Sequence, residues 1–396
     1  MKLSQKVESM HLSPIRKFYP YADKAKAMGK KVYGLNIGQP DIETPREFFD
    51  AVNNYNADVL AYAPSNGLPI LAEAISGYYR RIGVMFEPEE IIITNGGSEA
   101  LEMIFNSIID DGDEVVMAEP FYTNYDSFVK QAGGKLVPIK CTADDGYHYA
   151  ERAKIEAAIT DKTKAIAIIN PGNPTGVVLT KEEMRLIADI AKEHDLFLIC
   201  DEVYREFVYD GLEMSSFAEF DDIDENLILV DSVSKRFSAC GARCGSIATH
   251  NKDLFVAFVK FCQARLCTAT LEQVGSAALY NMDPSYFHDI KKEYENRRNV
   301  SYAALQEIEG IKCAKPQGAF YITCQLPVDD AEEFLIWMLE NFDIDGETTM
   351  FAPAGGFFGT PGVGKSDIRI AYVLKAEEMQ KGINIIKEAI KAYNAR

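Results

Sequence analysis

Lys235 sits in the stretch Asn226 to Gly245, NLILVDSVSKRFSACGARCG, with hydroxyls at Ser232, Ser234 and Ser238, an aromatic ring at Phe237, a glycine at Gly241 and an arginine at Arg243. Two chemistries suit a lysine in such company. It can pair with a phosphate as a point charge, or its amine can attack an aldehyde and hold it as a Schiff base. Taken alone, Lys235 reads as a solvated surface lysine, because charged residues are mostly exposed. Other groups able to do chemistry lie upstream: Glu119-Pro120-Phe121-Tyr122, Asn170-Pro171-Gly172-Asn173-Pro174-Thr175-Gly176 and Asp201-Glu202-Val203-Tyr204. Asn-Pro pairs also make plain turns, and an aspartate after a strand also caps helices.

The elements that must position these groups follow from the period of the apolar residues. Ile91 to Thr94, Glu114 to Met117, Leu136 to Ile139, Ala165 to Ile169, Leu196 to Cys200 and Leu227 to Val230 are short runs rich in branched residues, which predicts buried strands. Amphipathic stretches such as Lys181 to Glu193 separate them, the signature of βαβ units around a mostly parallel sheet. Ligands of such sheets collect at the carboxyl ends of the strands, and there the distinctive residues fall. Asn95-Gly96-Gly97-Ser98-Glu99 joins a strand to a helix that runs through Ile109, so backbone N–H groups meet the positive helix end and form an anion cradle. The combined inventory is a carboxylate, an amide, a phenol, an aromatic face, a phosphate loop, an amine and an arginine at one edge of one sheet.

Composition narrows the class of protein. A chain of 396 residues with 47% hydrophobic residues fills a sizeable core, and its length suits two domains. The formal net charge of -19 argues against sequence-independent binding to nucleic acid or to an anionic membrane. The first residues lack the apolar core of a signal peptide, and no segment is long enough to span a bilayer. A soluble, cytoplasmic protein is expected. Eight scattered cysteines form no CxxC pair, so we expect reduced thiols and no metal site.

In that order along the chain, the motifs resemble those of the pyridoxal-phosphate-dependent aminotransferases of fold type I, class I/II, in the manner of aspartate aminotransferases. The likeness rests on GQPD at Gly38, the loop from Tyr62 to Gly67, GGSEAL at Gly96, EPFYTNY at Glu119, NPGNPTG at Asn170, DEVY at Asp201, SVSK at Ser232, GARCG at Gly241 and DIRIAY at Asp367. It implies a large domain, 41–281, with a mostly parallel seven-stranded sheet flanked by helices. An N-terminal arm, 1–40, and a smaller C-terminal α/β domain, 282–396, complete the chain. By the resemblance, Lys235 holds pyridoxal 5'-phosphate as an internal aldimine and later shuttles a proton, and Asp201 pairs with the pyridine nitrogen. Asn173 and Tyr204 bond the phenolate oxygen and Tyr122 stacks on the ring. Gly97, Ser98, Ser232, Ser234 and Arg243 cradle the phosphate, with Tyr62 supplied by a partner subunit of a homodimer with shared active sites. Arg369 forks the substrate α-carboxylate with help from Gly38 and Asn173. Arg265 occupies a region where dicarboxylate-specific relatives place a second arginine, so it is a candidate for the side-chain carboxylate, though a helix C-terminus also favours an arginine for its dipole. The expected reaction is ping-pong amino transfer between an L-amino acid, aspartate first, and 2-oxoglutarate.

Other readings stay open on the residues alone. Carbon–sulfur lyases and transaminases for aromatic or neutral amino acids share the same cofactor cage. Gly359 to Ser366 spells GxxxxGK[ST], the P-loop pattern, but Phe351 to Phe358 before it contains a proline and adjacent glycines, and Asp367 to Val373 after it alternates as a strand. A P-loop needs a strand before and a helix after. A non-catalytic regulator on this fold would need a nucleic-acid-binding segment, for which the arm before Gly38 is too short.

Overall fold

The computed structural model describes residues 1–396. At its centre is a seven-stranded sheet whose strands we label in chain order: β1 Ile91–Thr94, β2 Glu114–Ala118, β3 Lys135–Ile139, β4 Thr163–Ile169, β5 Phe197–Asp201, β6 Leu227–Ser232 and β7 Gly245–Ala248. Their spatial order is β1-β7-β6-β5-β4-β2-β3. All pairings are parallel except those of β7, which runs antiparallel to both β1 and β6. Six strands match the apolar runs of the sequence. β7 does not announce itself, because Gly245-Ser246-Ile247-Ala248 carries one branched residue and three small ones. Its glycine is required: a Cβ on Gly245 would lie 2.6 Å from the carbonyl carbon of Gly96, so β7 lets the Gly96–Gly97 turn pack directly on its backbone.

β4 and β6, inside the sheet, are buried along nearly all of their length, as strands covered by helices on both faces must be. One such helix, Lys181–Glu193, starts with a capping box in which Thr180 accepts from the Glu183 N–H and the Glu183 carboxylate accepts from the Thr180 N–H. Its Met184, Ile187, Ala188, Ile190 and Ala191 form the buried stripe.

Beyond the long helix Ser285–Gln306 the chain builds a second, four-stranded sheet from Lys312–Cys313, Tyr321–Gln325, Ala352–Pro353 and Asp367–Ala371, with Asp367–Ala371 between Ala352–Pro353 and Tyr321–Gln325. Near the N-terminus, Lys31–Gly34 pairs in parallel with Glu347–Met350. The largest apolar cluster runs without a break from Ile92, Leu101 and Phe121 through Tyr204 and Phe207 to Phe320, Ile322 and Ile370. That continuity brings the carboxyl end of the large sheet against the second sheet.

The Gly359–Ser366 segment is a loop between a one-turn helix, Gly355–Phe357, and the strand Asp367–Ala371. The amides of Gly359 and Thr360 and the Thr360 hydroxyl donate to the Glu119 carboxylate at 2.8–3.0 Å. No helix follows the loop, and its first amides already hold an anion of the chain itself.

Candidate active site

Lys235 leaves the end of β6 on a single helical turn, Val233–Arg236. Ser232 caps that turn, its Oγ accepting from the Ser234 N–H at 3.1 Å and donating to the Cys244 carbonyl at 2.9 Å. The next side chain, Arg236, points the opposite way into the core, where it pairs with Asp231 and stacks on the Tyr78 ring. With its neighbour so anchored, Lys235 is directed into a cavity of about 630 Å³. Its Nζ donates to the Gly38 carbonyl at 2.8 Å and lies 3.9 Å from Cys240 Sγ. No carboxylate pairs with this amine.

Around it the cavity is lined by Gly38, Gly97, Ser98, Tyr122, Asn173, Asp201, Tyr204, Ser232, Ser234, Arg243 and Arg369. The sequence candidates therefore converge, with two exceptions. Asp201, the last residue of β5, accepts from the Val203 N–H at 3.1 Å and from the Tyr125 hydroxyl at 3.2 Å. Burial pushes its pKa up to about 7, against the pull of those two donors. Asn173 Nδ2 donates to the Tyr204 hydroxyl at 3.4 Å, and Tyr204 shares a hydrogen bond of 2.9 Å with Tyr321.

Arg369 is 2% exposed. It donates to Asn173 Oδ1 at 3.1 Å and to the Asn36 carbonyl at 2.8 Å, between the rings of Tyr321 at 4.5 Å and Phe357 at 5.1 Å. Its Nε has no partner, and no carboxylate of the chain neutralises it. A buried cation without a counter-ion is costly, so the site is built to receive an anion. On the other side, Arg243 adopts a left-handed backbone, φ 47°, an uncommon conformation for a residue with a side chain. It brings the guanidinium so close to Gly96 that a Cβ there would come 2.5 Å from it. Together with the first amides of the helix Gly96–Ile108 and the Ser234 hydroxyl, it makes a second anion cradle.

The two exceptions are Tyr62 and Arg265. Tyr62 is 81% exposed, beside the exposed Val59 and Leu60. Arg265 ends the helix Lys252–Arg265 and pairs with Glu99 at 2.7 Å while also donating to the Ser65 carbonyl at 2.8 Å. Glu99 in turn accepts from the Asn95 N–H at 2.6 Å, so Arg265 braces the turn before the anion cradle. It does not line the cavity of its own chain. Accordingly Arg265→Ala is expected to lower stability by about 1–3 kcal/mol, the cost of leaving Glu99 without its partner, and to leave the ratio of kcat/KM for aspartate to that for alanine unchanged; thermal unfolding and a two-donor assay measure both.

Sequence reasoning passed over Tyr321, Tyr125 and Asn36. A Cβ on Gly38 would overlap the Tyr321 hydroxyl, so Tyr321 holds the Gly38 loop against Tyr204. Its signal was slight: an aromatic pair, Phe320-Tyr321, at the head of an unremarked strand.

A cavity that joins an unpaired amine, a half-buried carboxylate without a cation and two separated anion cradles suits a phosphorylated aldehyde with a basic ring and a carboxylate substrate. A family model described as aminotransferase class I and II matches residues 30–386. The aspartate aminotransferase of Bacillus subtilis (strain 168) is 32% identical over 407 aligned positions, covering 100% of both chains. Among solved structures, a single mutant of Thermus thermophilus aspartate aminotransferase superposes with a TM-score of 0.89 at 28% identity, covering 98% of this chain and 100% of that one. An alanine aminotransferase from Pyrococcus furiosus reaches the same TM-score at 30% identity, covering 99% of this chain and 100% of that one. The chain belongs to the class I and II aminotransferases. It is a pyridoxal-phosphate-dependent transaminase. No helix is long and apolar enough to cross a membrane.

Proposed function

We propose that this transaminase moves the amino group of L-aspartate to 2-oxoglutarate in two alternating half-reactions. The carrying observation is Arg369, a buried guanidinium without a counter-ion in the same cavity as the Lys235 amine. When bound, the cofactor supplies an aldehyde to take the amino group and a ring to accept the electrons of the α-carbon. Lys235 is the covalent attachment point and, once free, carries the proton from the substrate α-carbon on its Nζ. Asp201 would face the ring nitrogen and Tyr122 would cover the ring. Asn173 and Tyr204 would donate to the ring oxygen; Gly97, Ser98, Ser234 and Arg243 would hold the phosphate, with Ser232 fixing the turn that bears Ser234. Arg369 fixes the α-carboxylate through a planar fork, with Asn173 and Gly38 at its sides.

The same reading makes the enzyme a homodimer. Tyr62, with Val59 and Leu60, forms an exposed apolar strip that suits a partner subunit, where Tyr62 would reach the partner's phosphate. Residues 282–396, with the arm 1–40, would move against residues 41–281, carrying Arg369 onto the substrate and excluding water. All eight cysteines are free, which suits the cytoplasm.

A second reading, a neutral donor, is favoured by Arg265, which is committed to Glu99, and by the likeness to an alanine aminotransferase. A panel of amino donors with 2-oxoglutarate decides. Aspartate is expected to give the highest kcat/KM, and a higher value for alanine or an aromatic donor would replace it. Sedimentation of the active enzyme is expected to show a dimer.

A further inference from the structure

The cavity holds three arginines. Arg369 and Arg243 have roles above; Arg16 has none, yet it lines the same cavity beside Tyr122 and Arg369. Burial raises the pKa of the Tyr122 phenol, and the charges of Arg369 and Arg16 both oppose that rise.

The arm is docked where it carries this residue. Ile15 is buried with Ala352, Ala354 and Phe357, and Phe18 belongs to the main core. Pro14 lies against Gly356 so closely that a Cβ there would come 2.6 Å from the proline ring. Lys17 turns outward to Glu332 at 2.6 Å. The neighbours are thus explained by packing or by a surface ion pair. Arg16 is different: its backbone N–H bonds to Ser13, but its guanidinium has no partner in the chain. Phe357, on which Ile15 packs, also lies under Arg369, so the arm and the α-carboxylate site share one support.

We propose that Arg16 is a specificity residue that receives the second carboxylate of dicarboxylic amino and 2-oxo acids while Arg369 holds the first. The inference rests on the transaminase reading of Arg369. Two cations in one cavity match two carboxylates on one substrate. Because Arg16 is exposed before substrate arrives, it stays hydrated beside a neutral side chain and exchanges that water only for a carboxylate. It therefore contributes preference for dicarboxylates rather than exclusion of other donors.

The test uses the full-length holoenzyme and the variants Arg16→Ala and Arg16→Lys. Steady-state kcat/KM is measured for aspartate and for alanine, and dissociation constants for succinate and propionate, which do not react, are measured by calorimetry. In Arg16→Ala the aspartate-to-alanine ratio is expected to fall on the order of tenfold, mainly through KM, with succinate affinity weakened by a similar factor and propionate affinity little moved. Arg16→Lys is expected to recover part of the loss, since it keeps the charge but not the fork. Equal losses for aspartate and alanine would mean that Arg16 only docks the arm, and an unchanged ratio with unchanged succinate binding would remove it from the site; either result overturns the proposal. A wild-type enzyme that transaminates no donor would instead overturn the functional reading, while succinate binding still reports on Arg16.

Discussion

Replacing Lys235 with alanine is expected to leave the fold intact and to lower transamination by roughly three to five orders of magnitude, since a positioned proton carrier alone is worth 10²–10⁴-fold and the covalent attachment is lost with it. The fold should survive because the amine contacts only the Gly38 carbonyl and Cys240 Sγ. The turn that bears it is held by Ser232 and by the Asp231–Arg236 pair instead. Cofactor should still enter through the Arg243 cradle, but without attachment. Borohydride treatment of the wild type followed by peptide mapping should label Lys235, and the alanine variant should take up no label. A variant that keeps more than about a hundredth of the wild-type kcat would assign the proton transfer elsewhere, since such a loss is at the low end for one general base.

Asp201→Asn carries the second large effect, and it is visible with and without cofactor. In the free protein, burial lifts the Asp201 pKa from 3.8 to about 7, so folding takes up a proton between those values. Stability is fully present below about 4 and declines as pH rises toward and through 7. Above that the ionised carboxylate faces the cavity without a cation, at a cost on the order of 4 kcal/mol, an upper figure because the cavity is open to water. Asparagine can still accept from the Val203 N–H through its oxygen and donate its amide to the Tyr125 hydroxyl, and it has no charge to bury. The cofactor-free Asn variant is therefore expected to lose less stability than the wild type between pH 5 and about 8. Asp367, whose pKa burial raises to about 6, slopes the same way in both proteins and drops out of the comparison. With cofactor the order is expected to reverse: on the proposed role of Asp201 the wild type gains an ion pair with the ring, and the variant should lose roughly 10²–10³-fold in kcat/KM, the scale of breaking a buried pair. Parallel stability curves for the two cofactor-free proteins would place the titrating carboxyl elsewhere.

The strand and helix pattern from Ile91 to Val230 was legible because strands buried on both faces must be apolar on both, which writes a continuous run into the sequence. The grouping of the candidate residues was legible for a related reason. Lys235, Asp201, Asn173 and Tyr204 lie at strand ends, and a parallel sheet brings all its carboxyl ends to one edge. The P-loop spelling at Gly359 was also separable on sequence, since the residues after Ser366 alternate with the period of a strand, as they do in the structure.

Three things were decided only by tertiary packing. β7 has too few branched residues to signal a strand, and it exists because Gly245 admits the Gly96 turn against its backbone. Arg265 and Arg16 are both arginines near suggestive segments, and nothing local tells them apart. The fold places one against Glu99 and the other in the cavity, beside Arg369. Tyr321 reaches Tyr204 and Gly38 from the second sheet, across more than a hundred residues of chain. The sequence by itself determined the period of the elements and the types of group at each strand end, because those depend on neighbours in the chain. Which guanidinium meets a carboxylate of the protein and which is left for a substrate depends on distances across the fold, and only the folded chain sets those.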